Sequence, residues 1–150
     1  MYALHLTSDR LNWPPPLPLD VMEECEAAWK RSALDSTVSA LHRSVCASLD
    51  RLSVPHTIEQ LTDDGLLSVD VALQAQDGKR VAVEVDGPSH FTINTRRRLG
   101  ATVNRDLLLQ HRGWLVLSLP YFELNDASAG GALDDYVAQR VSEAGVTIVT

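Results

Sequence analysis

The chain has 150 residues, 45% of them hydrophobic, enough for one buried core and a single domain. With 20 Asp and Glu against 13 Lys and Arg its formal charge is -7, and a uniformly acidic surface would argue against a nucleic-acid partner. The charge is uneven, however: the stretch from Arg96 to Arg112 holds five arginines and one aspartate, a local balance of +4 that leaves -11 for the rest.

Residues 1–18 end in Trp13-Pro14-Pro15-Pro16-Leu17-Pro18, a proline density that excludes helix and predicts an extended linker or docking arm. The domain proper is then 19–150. Asp20 is placed to cap a helix running through Cys25 and Trp29 to about Ala33, with Glu23 at the capping-box position. Asp35 or Ser36 is placed to cap a second from about Thr37 to Leu52, where Val38, Leu41, Val45 and Leu49 mark one buried face. After Pro55 the period changes. His56 to Leu61 reads as a strand, Asp63-Asp64-Gly65 as a turn and Leu66 to Gln74 as a second strand. Asp77-Gly78 signals a tight hairpin into a third strand, Lys79 to Asp86. Leu99 to His111 is amphipathic, with Val103, Leu107 and Leu108 as its apolar face and Gly113 as its stop. Trp114 to Leu119 is a buried-type strand closed by Pro120, Ala132 to Ala144 a last helix, and Val146 to Val149 an edge strand. This order predicts an α/β fold: a mixed sheet of about four strands flanked by helices on both faces, with a right-handed crossover into the fourth strand. Cys25 and Cys46 are too few for a disulfide framework or a zinc site and read as buried free thiols. No apolar run is long enough to span a membrane, and the stretch carries no pattern of a targeting segment.

The chemistry concentrates in Val81-Ala82-Val83-Glu84-Val85-Asp86-Gly87-Pro88-Ser89-His90-Phe91. Alternate residues of a strand share a face, so Glu84 and Asp86 project together, and two adjacent carboxylates resist burial without a cation, a basic partner or water. Across a tight Asp77-Gly78 hairpin, residues whose numbers sum to about 155 face each other. Asp70, isolated in an apolar strand, then falls within a residue of Glu84 and Asp86. Such a cluster suits a hard divalent ion, Mg²⁺ or Mn²⁺, held by Asp70, Glu84 and Asp86, which would activate water and stabilise a phosphodiester's transition state. With His90 beside the Gly-Pro break, these make four candidate catalytic residues. The plainer alternative is that a strand aspartate is a satisfied polar group at a sheet edge.

The string Val83-Glu84-Val85-Asp86-Gly87-Pro88-Ser89-His90-Phe91, followed by Gly100-x-Thr102, Asp106-Leu107-Leu108, Gly113-Trp114-x-Val116 and Pro120-Tyr121, resembles the RAP domain over roughly Val81 to Tyr136. That family is named for RNA-binding proteins abundant in apicomplexans and also occurs in organellar proteins. RAP domains are in turn similar to the PD-(D/E)XK nucleases of the very-short-patch-repair branch. The resemblance implies a PD-(D/E)XK nuclease-like core of helix, three strands, helix and strand. It matches Asp70 and Glu84 to that superfamily's two acidic residues. The lysine usual two positions after the second acid is Asp86 here, an exchange of cation for anion that weakens the case for catalysis. The resemblance also implies a C-terminal domain of an organellar RNA-processing or RNA-stability factor, in chloroplast or mitochondrion.

Arg98, Arg105 and Arg112 recur every seven residues and would form one stripe if the helix began at Arg98, with Arg96 and Arg97 in the preceding loop. Guanidinium groups match phosphates, so these five arginines are candidate contacts for single-stranded RNA, with Phe91 and Tyr121 as candidate stacking residues. Pairing of Arg105 with a sheet carboxylate and packing of Phe91 under the Gly-Pro turn are the competing readings. Three functions stay open: an RNA-binding domain, a metal-dependent endoribonuclease, and a catalytically degenerate module that docks protein partners.

Overall fold

The computed structural model describes residues 18–34 and 38–148. The proline-rich arm up to residue 17, the caps expected at Asp35 or Ser36, and Val149 lie outside the described residues.

Two helices come first, α1 (Leu19–Leu34) and α2 (Ala40–Arg51). Asp20 falls inside the first turn of α1 rather than at its cap, where its charge still complements the helix dipole. Helix α2 is capped by Ser39, whose side chain accepts a hydrogen bond from the His42 backbone N–H. Its inner face is His42, Val45, Cys46, Ser48 and Leu49. Three strands follow, β1 (Thr57–Leu61), β2 (Ser68–Gln74) and β3 (Arg80–Asp86), then a single 3₁₀ turn over Pro88–His90. Helix α3 (Gly100–His111) leads to β4 (Trp114–Pro120), and α4 (Tyr121–Ala129) and α5 (Leu133–Glu143) close the described fold. Helix α4 was not expected: Pro120 reads as a strand terminator, but its extended φ and ψ make it the N-cap of the next helix. The edge strand expected at 146–149 does not form over 146–148; Val146 instead turns inward and is buried.

The sheet order is β1-β2-β3-β4, antiparallel except for the parallel β3–β4 pair that the α3 crossover requires. The mixed sheet flanked by helices is the predicted class, and its element order is the one the resemblance implies. Pairs across the β2–β3 hairpin, such as Val71 with Val83 and Gln74 with Arg80, sum to 154, one less than expected. One further step in that register sets Asp70 against Glu84. In the parallel pair, Glu84 lies against Ser118 and Asp86 against Pro120.

The sheet separates two apolar cores. One face packs Val71, Leu73, Val81, Val83, Val85, Leu117 and Leu119 against Val45 and Leu49 of α2 and Val137 and Val141 of α5. The other sets Ala72, Ala82 and Trp114 under Leu108 and Leu109 of α3. The second core corrects the expected face of α3. Thr102, Asp106, Leu108 and Leu109 are buried, while Val103 and Leu107 remain 42% and 53% exposed. Burying a Val or Leu side chain gains about 1.5–3 kcal/mol, whereas leaving one partner of a buried ion pair alone costs about 3–5 kcal/mol. The helix accordingly turns its charged residues, not its extra aliphatics, toward the sheet.

Candidate functional site

The Asp-Gly-Pro-Ser-His segment folds into a local clasp. Gly87 is extended and N-caps the 3₁₀ turn, with Pro88 in the position where a missing N–H costs nothing. His90 donates its backbone N–H to the Gly87 carbonyl at 3.0 Å. The turn brings His90 Nδ1 back to 3.0 Å from Asp86 Oδ1. The other Asp86 oxygen takes Arg98 at 3.1 Å and the Ser118 hydroxyl. Arg98 in turn grips Asp106 of α3. Burial pushes the Asp86 carboxyl up, but His90, Ser118 and Arg98 outweigh it and hold Asp86 below the usual carboxylate range. The same pairing raises His90. Asp86 thus occupies the place of the expected lysine as a buried anion with both oxygens engaged. Its two oxygens are taken up by His90, Arg98 and the Ser118 hydroxyl.

Glu84 lies on the same face, buried, with Arg105 Nε 2.8 Å from its Oε2 and no partner on Oε1. Burial pushes Glu84 up to about 7 against the pull of Arg105, with Asp70 adding to the rise. Arg105 also donates to the Ser68 carbonyl. Asp70 accepts the Val85 backbone N–H at 2.8 Å, and burial, opposed chiefly by that bond, raises its carboxyl. Asp70, Glu84, His90 and Arg105 line one cleft of about 720 Å³, together with His42, Trp29 and Ser39. The three carboxylates do share one face, as the strand periods require, but Asp86 is sealed beneath Arg98 and is not among the cleft's lining residues.

The arginine stripe does not form. Helix α3 begins at Gly100, so Arg98 precedes it, and Arg98 and Arg105 neutralise the buried carboxylates. Arg112 pairs with Asp64 at 2.7 Å and donates to the Leu108 carbonyl. The two arginines of the loop differ. Phe91 bridges to Arg98 and Thr92 to Arg97, folding 91–98 into a small hairpin that leaves Arg96 and Arg97 exposed. Neither makes an ion pair among the described residues. Arg96 instead lies over the Phe122 ring, 4.8 Å from its centroid. Phe91 is buried and packs on Tyr121 and Phe122 at 5.8 and 5.4 Å, so its expected role as a stacking surface is corrected. Tyr121 and Phe122 are half-buried and keep part of each ring at the surface.

Two residues of the cleft region have no place in the sequence reading. His42, 2% exposed, sits 3.5 Å from Glu59 through Nδ1, and these two with Asp70 bring ligand atoms within 4.8 Å of one another. A histidine on the apolar face of α2 was the available signal. Glu59 had none, because its register with Asp70 depends on the loop between β1 and β2.

The chain is thus a mixed α/β domain whose crossover helix clamps the buried carboxylates of β3. The family model of the RAP domain matches residues 83–137. The chain is similar to FAST kinase domain-containing protein 3, mitochondrial, of Bos taurus, with 30% identity over 82 residues, 55% of this chain. The mitochondrial protein of the same name from Mus musculus is 33% identical over 63 residues, 42% of this chain. The matched stretches span 12% and 10% of those two proteins. No helix among the described residues is long and apolar enough to cross a membrane.

Proposed function

We propose that this chain is an RNA-binding module that acts on single-stranded RNA in mitochondria, in processing, maturation or stability of transcripts. The RAP match and the mitochondrial naming of the relatives support the compartment and the ligand class. The observation that carries the reading is the 91–98 hairpin. On an acidic chain whose neighbouring arginines are consumed internally, Arg96 and Arg97 stay exposed beside the partly open Tyr121–Phe122 pair. Cations next to aromatic faces suit a phosphate backbone with splayed bases.

Fluorescence anisotropy with a labelled single-stranded RNA tests it. Reversing Arg96 and Arg97 to glutamate is expected to abolish binding at low salt while the thermal melt stays put. Each lost phosphate contact should flatten the log–log salt slope by about 0.7. Unchanged affinity in the double variant rules the hairpin out. A wild-type chain without affinity at any salt favours the protein-docking reading instead.

An endoribonuclease is the second reading, supported by the cleft that gathers Asp70, Glu84, His90 and Arg105. It predicts weak, metal-dependent cleavage that disappears in Asp70→Asn, and a gel assay with Mn²⁺ decides it.

A further inference from the structure

Beyond the RNA-binding reading and independent of it, we infer that His42, Glu59 and Asp70 form a binding site for one divalent transition-metal ion of the Mn²⁺ or Zn²⁺ class. It shares Asp70 with the carboxylate set of the motif and replaces Glu84 and Asp86 by His42 and Glu59. Helix α2 supplies the imidazole, β1 the glutamate and β2 the aspartate, and a potential ligand atom of each lies within 4.8 Å of the other two. Donors bound about 2.0–2.2 Å from a tetrahedral ion stand roughly 3.4 Å apart. His42 Nδ1 and Glu59 Oε1 stand at 3.5 Å.

Three features separate this cluster from an ordinary ion pair. Glu59 Oε1 is buried and accepts no hydrogen bond in spite of that proximity. His42 is almost wholly buried, with Nδ1 facing Glu59. A buried carboxylate oxygen left unsatisfied beside a buried imidazole calls for a missing ligand. The remaining oxygens are already oriented: Ser68 donates to Glu59 Oε2 at 2.9 Å and the Val85 N–H to Asp70 Oδ2 at 2.8 Å. Outer contacts of this kind are how proteins aim metal ligands. His42 and Asp70 open onto the cleft, which provides an entry path. One imidazole among two carboxylates selects against Mg²⁺, which prefers an all-oxygen set with several waters.

The test uses the whole chain stripped of metal and titrated with Mn²⁺, followed by loss of the free-ion electron paramagnetic resonance signal. One equivalent is expected to bind, to be displaced by Zn²⁺, and to resist a large excess of Mg²⁺. Glu59→Gln, which keeps the side chain's shape, and His42→Asn are each expected to weaken binding at least tenfold. Asp126→Asn, exposed on α4, should leave it unchanged. Should His42→Asn fail to fold, electron–nuclear double resonance on wild-type chain with ¹⁵N-labelled histidine replaces it, and an imidazole nitrogen coupling is expected. No saturable Mn²⁺ or Zn²⁺ binding, displacement by Mg²⁺, full affinity in Glu59→Gln, or absence of the nitrogen coupling would each overturn the site. Greater loss in Asp86→Asn than in Glu59→Gln would move the ion to the motif pair and overturn it equally.

Discussion

Removing Arg105 would leave Glu84 and the Ser68 carbonyl buried without their cation. Breaking one side of such a pair costs about 3–5 kcal/mol, so Arg105→Ala is expected to lower the urea midpoint severely. Arg97→Glu, a larger change of charge on an exposed residue, should stay within about 0.5 kcal/mol. An Arg105→Ala variant as stable as wild type would mean that Glu84 is neutral and needs no partner. The Asp86–His90 pair gives a second test through pH. His90 is raised by Asp86, so in this pair the folded state holds a proton that the unfolded chain releases earlier. Its contribution is fully present below the unfolded histidine value and fades as pH rises through the folded one. Asp86 is depressed, so its own contribution vanishes at the acid end, as pH falls through its lowered value. Thermal melts from pH 6 to 9 should therefore fall more steeply for wild type than for His90→Asn. Because His90 is partly open to solvent, the difference should not exceed about 1 kcal/mol.

At the scale of elements, α3 is the decisive piece. It carries the return to β4, seals the second core and clamps the carboxylates. Leu109→Ala should cost about 2–5 kcal/mol as a buried leucine truncation. Leu107→Ala should be near neutral, although the amphipathic pattern of the sequence assigns both Leu107 and Leu108 inward. Urea unfolding of the two variants separates the observed face from the patterned one. Gly113 follows α3 with φ of +80°, and Gly113→Ala should destabilise because a Cβ is strained there whatever the space around it.

For the whole molecule, the two cores share one sheet, and the strands that line the first also line the second. Urea transitions followed by far-ultraviolet circular dichroism and by tryptophan fluorescence are expected to coincide. Separate midpoints would show that α3 and its core open before α2 and α5. The uneven charge also resolves at this scale. The arginine-rich stretch from 96 to 112 mostly balances the acids beneath it, and only its hairpin end faces outward.

Local rules were enough to read most elements from the chain. Alternation in Val81 to Asp86, the Asp77-Gly78 turn and the Gly113 stop each depend on a few neighbouring residues, and strands, hairpin and crossover followed from them. The hairpin register also put Asp70 beside Glu84, since a tight turn leaves little freedom between paired strands. Charge partners were not legible in that way. Arg105 and Glu84 are 21 positions apart and Ser118 and Asp86 are 32 apart, so their pairing depends on how α3 rotates over the sheet. That rotation follows from the cost of an unpaired buried charge, which no residue pattern records. His42, Glu59 and Asp70 come from three elements and meet only once the β1–β2 loop and the cap at Ser39 have fixed their positions. The sequence by itself thus determined most of the elements, whose contacts span a few residues. Only the tertiary structure decided which charges are spent inside and which remain for a ligand, because burial and long-range partners set that balance.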